Sequence, residues 1–192
     1  GQTTMWKNTT GHDNSIFGNE GLFNNTTGSY NTASGSKALR ANTTASAGTA
    51  NGYEALTSNT SGPQNTAIGY HSMYTNTTGG YNTASGYRSL YSNSTGARNT
   101  ANGYMSMNDN STGTNNAAFG YTSLYKTTEG DSNTAAGSRA LYSNTTGDGN
   151  TSMGSRALED NTTGSYNSSF GYEALSSNTD SEGNTAVGAF AL

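Results

Sequence analysis

A glycine returns every 17 residues along this chain, from Gly1 through Gly18, Gly35, Gly52, Gly69, Gly86, Gly103, Gly120, Gly137, Gly154 and Gly171 to Gly188, with no insertion or deletion. Four places after each glycine stands a leucine or methionine: Met5, Leu22, Leu39, Leu56, Met73, Leu90, Met107, Leu124, Leu141, Leu158, Leu175 and Leu192. A short fixed period is the mark of a solenoid, in which each repeat is one coil that buries its apolar side only against its neighbours. The 192 residues are therefore read as a single repeat array of about eleven coils. Both ends sit in register and neither departs from the repeat, so the array is expected to be a section of a longer fibre, or one whose ends a partner covers.

Counting forward from each glycine, position +13 is Asn in nearly every copy, including Asn65, Asn82, Asn99, Asn116, Asn133, Asn150 and Asn167, with Gly48 as an exception. Position +7 is Asn in most copies, with Thr127 as the exception. Position −2 is mostly Ala. The segment T-A-x-G reads as a short strand with a small inward residue, because β-branched Thr beside Ala suits a narrow pleated surface. The segment N-T-T-G reads as a turn in which glycine supplies positive φ. The two asparagine rows are expected to hydrogen-bond from coil to coil as stacked amides. Many +7 asparagines, Asn8, Asn25 and Asn76 among them, also match the glycosylation sequon; the ladder is the preferred reading.

Position +2 carries Glu20, Lys37, Glu54, His71, Arg88, Arg139, Arg156 and Glu173 and is expected to face solvent, whereas the Leu/Met row at +4 must face inward. These positions share a parity, and a straight strand would place both on one face. The chain must bend after the glycine; a corner leading into a second short strand is favoured, with a helical turn as the alternative. Tyrosine recurs at +1 (Tyr53, Tyr70, Tyr87, Tyr104, Tyr121, Tyr172) and aromatic residues recur at +5 (Trp6, Phe23, Tyr74, Tyr91, Tyr125, Tyr142), so both rows should stack along the axis. They are candidate surface or interface aromatics.

Neighbouring coils pair about 4.8 Å apart, which makes a rod on the order of 50 Å long. Inside a coil there is room for the Leu/Met row, the Ala row and part of the mixed −1 row (Phe17, Ile68, Phe119, Met153 and others). So thin a core predicts that two or three chains associate side by side.

Hydrophobic residues make up 30% and charged residues 10% of the chain, but 13 tyrosines, a net charge of −4 and strict periodicity argue for order rather than disorder. With no cysteine, disulfides contribute nothing. No apolar run approaches the roughly 18–20 residues a membrane-spanning helix needs. Only 8 basic residues and a pI near 4.9 disfavour nucleic-acid binding, which needs clustered positive charge.

At N-T-A-I-G-Y (65–70) and N-T-A-V-G (184–188) the chain resembles the head repeats of trimeric autotransporter adhesins. The longer phrase N-T-A-x-G-Y-x-A-L-x-S-N-T-T-G also resembles repeats of trimeric phage tail-fibre and bacterial surface-fibre proteins. The adhesin head repeat is usually shorter than the one here. The resemblance implies an all-β, parallel β-solenoid of the left-handed β-roll type and an extracellular, cell-surface or virion homotrimeric fibre. Such a fibre spaces or presents a surface for cell-surface glycans or proteins. Neither family's repeats carry catalytic residues, so the resemblance supplies none.

The chemistry of the residues points the same way. The histidines, His12 and His71, occupy positions that vary freely between repeats, and Glu129, Asp131 and Asp148 do not form the repeating pattern of calcium β-rolls. No cofactor, metal, nucleic-acid partner or membrane insertion is expected. The competing reading is an ice-binding solenoid, based on the threonine rows. The structural assignments are a core of Leu22, Leu39, Leu56, Met73, Leu90, Met107, Leu124, Leu141, Leu158 and Leu175, with tight-turn glycines Gly35 to Gly171.

Overall fold

The computed structural model describes residues 4–192; Gly1 lies outside them. The chain is an all-β solenoid with one three-residue strand per coil. Strands β1 to β11 are Ser15–Phe17, Thr32–Ser34, Thr49–Asn51, Thr66–Ile68, Thr83–Ser85, Thr100–Asn102, Ala117–Phe119, Thr134–Ala136, Thr151–Met153, Ser168–Phe170 and Thr185–Val187. They pair in chain order as one 11-stranded parallel sheet. The register steps by one repeat, so Ala33, Ala50 and Ala67 stand directly above one another. Strand alternation sends the −2 Ala inward and rows −3 and −1 outward.

Among the described residues no second strand follows the repeat glycine. The chain instead runs through overlapping turns, closed in one coil by Ala38 N–H to Gly35 O (3.3 Å), Arg40 N–H to Lys37 O (3.3 Å) and Asn42 N–H to Leu39 O (3.1 Å). The first two have the positive φ that type II turns require at their third residue, 59° at Lys37 and 52° at Leu39, and row +2 repeats this from Glu20 to Phe190 and row +4 from Met5 to Leu175. Left-handed backbone costs a non-glycine residue about 1 kcal/mol or more. Here it turns successive N–H groups alternately to the two neighbouring coils: Lys37 donates to Asn19 O (2.8 Å) and Leu39 to Ala55 O (3.1 Å). Those ladder bonds offset the strain, and the same curl separates the environments of +2 and +4.

The interior is fuller than the sequence suggested. Leu22, Leu39, Leu56, Met73, Leu90, Met107, Leu124, Leu141 and Leu158 are completely buried, and Leu175 is nearly so. A row of small residues at +3, such as Ala38, Ala55, Ser72, Ser89 and Ala140, is buried beside them. The asparagine rows close the rest of the coil. The −1 row lies outside, correcting the expectation that part of it packs within: Ile68 and Phe119 are each 44% exposed and Met153 47%. One chain therefore encloses its own core.

The +7 asparagines form an amide ladder. Asn76 Nδ2 donates to Asn59 Oδ1 (2.8 Å) in the preceding coil and to Gly79 O (2.9 Å) in its own. The +13 asparagines bind backbone: Asn65 Oδ1 accepts from Asn82 N–H (2.9 Å), and Asn65 Nδ2 donates to Gly79 O (2.7 Å). The +10 carbonyl thus accepts from both rows. Buried polar groups need such partners, since an unpaired one costs about 1–3 kcal/mol. Burial of Asn25, Asn42, Asn59, Asn76, Asn93, Asn110, Asn144 and Asn161 leaves these sequons closed to glycosylation in the folded coil.

The glycine of N-T-T-G serves a different purpose from the one expected. Gly79 is absent from the positive-φ residues, which fall instead at +12, as at Gln64 and Tyr81. A Cβ on Gly79 would lie 2.3 Å from Gly96 O. Close stacking of coils is what excludes a side chain there. The repeat glycine meets both constraints: Gly86 has φ 139°, and its Cβ would stand 2.3 Å from Gly103 O.

Candidate functional site

The overlapping turns place rows +1, +2 and +5 side by side on one edge of the rod, because +2 projects between its neighbours at the bend. At +1, Tyr53, Tyr70, Tyr87, Tyr104 and Tyr121 form an unbroken stack with ring centroids 5.2–5.5 Å apart and planes within 13° of parallel. These rings are 39–56% exposed. Their faces are taken by one another, so the stack offers ring edges and phenolic hydroxyls to a partner. Ser138 and Ser155 interrupt the row, and Tyr172 stands apart, edge-on to Phe190 at 5.3 Å. At +5, Tyr74 stacks on Tyr91 and Tyr125 on Tyr142, each pair 5.2 Å apart; all four are half-buried.

Row +2 lies between these two aromatic rows and is half-buried rather than fully solvated. The imidazole of His71 sits 3.9 Å from the Tyr70 ring and 4.7 Å from that of Tyr74. The Arg88 guanidinium lies 5.5 Å from the Tyr87 ring and 5.0 Å from that of Tyr91, within cation–π range. Further along, Met105 and Thr122 take the place of charged residues. Ion pairs run along the row, Lys37 to Glu54 (3.1 Å) and Arg156 to Glu173 (3.2 Å), and the His71 imidazole stands 2.9 Å from the Glu54 carboxylate. Glu159 at +5 draws in Arg139 (2.6 Å) and Arg156 (3.6 Å). The polar atoms of His71, Nε of Arg88 and Oγ1 of Thr122 are buried without hydrogen-bond alignment to a partner.

Burial pushes the Glu54 carboxyl up, but hydrogen bonds from Lys37 and Tyr53 and the nearby charges outweigh it and leave the group below its ordinary range. The hydrogen bond to Glu54 raises Lys37. Burial, aided by Asp109 and Tyr142, raises the Tyr125 phenol. Electrostatically the edge carries two groups of paired charge, one about Glu54 and one about Glu159 and Glu173, with Met105 and Thr122 between them.

Among the described residues no three of His, Asp and Glu converge as metal ligands. Asp131 and Asp148 act as backbone acceptors, for Thr114 N–H (2.6 Å) and Asp131 N–H (2.7 Å) respectively. The sequence reading found both tyrosine rows but missed the half-burial of +2. It also passed over the exposed Tyr30, Tyr81 and Tyr166 at +12, a row too variable to carry a periodic signal. No helix among the described residues is long and apolar enough to cross a membrane. No protein family, curated protein or solved structure matches the chain.

Proposed function

We propose that the chain is a non-enzymatic structural and adhesive section of an extracellular fibre, wound left-handedly and assembled from three copies, whose tyrosine-lined edge binds cell-surface glycans or proteins. The supporting observation is the Tyr53–Tyr121 stack, with the Lys37–Glu54 pair at its start: a long, regular row of hydroxyl-tipped aromatics on a stiff support. Tyrosine combines apolar area with a hydrogen-bonding tip at low conformational cost, which suits adhesive contacts.

A panel of immobilised neutral and acidic glycans and whole cells, probed with the labelled chain, tests this reading. Retention that falls at least tenfold in a Tyr87→Ala, Tyr104→Ala variant with unchanged circular dichroism is the expected result. Retention independent of those rings refutes it. The ice-binding reading draws on the exposed +9 threonines, such as Thr27, Thr44, Thr78 and Thr95, which stand at coil spacing. Thermal hysteresis without glycan or cell retention would favour that reading instead.

A further inference from the structure

The outer face of the sheet carries no charge from one end to the other. Row −3 is Ser, Thr or Ala throughout; row −1 contains only Phe, Ser, Asn, Ile, Ala, Met and Val; and the adjoining row +1 contains only Asn, Ser, Tyr and Ala across the described coils. All 8 basic and 12 acidic residues lie elsewhere. The solvent-facing side of a sheet is ordinarily polar, and large apolar patches on it are uncommon.

The same face is apolar over its last five strands. Phe119, Ala136, Met153, Phe170 and Val187 follow one another on β7 to β11, with Phe119 44%, Met153 47%, Phe170 38% and Val187 73% exposed. Contiguous exposed apolar surface of this kind marks an interaction site.

From these observations, and resting on the multichain reading above, we infer that copies of this chain pack side by side through the outer sheet face, rows −3 and −1. Three physical points select a second copy as the occupant. In a symmetric self-contact any charged residue near the axis meets its own like charge, so a face free of charge suits self-packing. The net charge of −4 makes copies repel, and a neutral contact keeps the acidic rows apart. The face has adequate size: about 50 Å of stacked coils by about 10 Å of backbone from −4 to −1 gives on the order of 500 Å² per copy, or about 1,000 Å² for a pair, the size at which a specific interface begins. Sheets pack face to face through such interdigitating rows. The tyrosine-lined edge then remains free for a partner.

Light scattering on the full chain at about 100 µM, read beside a Phe119→Lys, Met153→Lys variant and an Asn115→Lys control, tests the assignment. The expected result is a mass of more than one chain for the parent and control and of one chain for the double variant, with circular dichroism unchanged. Because the chain has no cysteine, single-cysteine variants provide a second readout that does not depend on destabilising anything. Met153→Cys should crosslink rapidly with a short bismaleimide and Asn115→Cys slowly. A parent of one chain overturns both this inference and the multichain reading. A multichain parent whose mass survives the double lysine substitution, with crosslinking no faster at 153 than at 115, overturns the face assignment alone and leaves the multichain reading standing.

Discussion

Thr127 interrupts the +7 amide ladder, and the interruption leaves unpaired polar atoms behind it. Asn110 Oδ1 and Thr127 Oγ1 are both buried without a partner, and Asn144 Nδ2 keeps only its bond to Gly147 O. Thr127→Asn supplies a donor to Asn110 Oδ1 and an acceptor to Asn144 Nδ2. It should raise unfolding stability by about 1–2 kcal/mol, seen as a higher Tm, since each restored buried bond is worth about 1 kcal/mol. No gain in Tm would mean that the ladder contributes little. Asp109 is a second local weakness. Burial raises its carboxyl above the ordinary value, with Lys126 only partly opposing this. A carboxyl raised in the folded state is penalised when ionised, and the penalty disappears as pH falls through the folded pKa. Asp109→Asn should therefore raise Tm slightly at neutral pH, with the advantage shrinking toward pH about 4. A gain that does not vary with pH would point to another cause. Asparagine rows could be read from sequence because a single residue breaks each of them, Gly48 at +13 and Thr127 at +7. The left-handed +2 and +4 residues could not, since Glu, Lys, Arg and Leu carry no signature of positive φ, and here inter-coil bonds override local preference.

Each coil is a three-residue strand followed by a run of turns, so its regular structure is short and its shape depends on the inward rows. The Leu/Met row was legible because burial at every step tolerates only that shape and polarity. The +3 row was not, because small Ser, Ala and Gly look alike whether buried or exposed. Row −1 misled in the opposite sense, since Phe119 and Met153 read as interior. Leu124 tests the element most directly: it is completely buried. Leu124→Asp puts a charge into the interior and should cost on the order of 5 kcal/mol. The expected outcome is loss of the cooperative thermal transition, followed by circular dichroism. A transition close to that of the parent would contradict the inward placement of the row.

At the scale of the whole molecule, stability is a sum of similar coils and the interfaces between them. Removing residues 83–99 joins Asn82 to Thr100 and restores every row, so the shortened chain should unfold cooperatively with only a modestly lower Tm. A deletion one residue shorter shifts each downstream row off its partner and should abolish the transition. Equal behaviour of the two deletions would refute registration of the coils by their inward rows. The inter-coil hydrogen bonds also run along the rod, as in Thr49 N–H to Asn65 O (2.8 Å) and Thr66 N–H to Asn82 O (2.8 Å). A tensile load between the ends therefore falls on coil-to-coil contacts in series, and the rod yields by peeling one coil at a time. Each released coil exchanges about 4.8 Å of rise for up to roughly 60 Å of extended chain. Under pull the rod thus lengthens in steps and absorbs shock, with a stroke set by its number of coils.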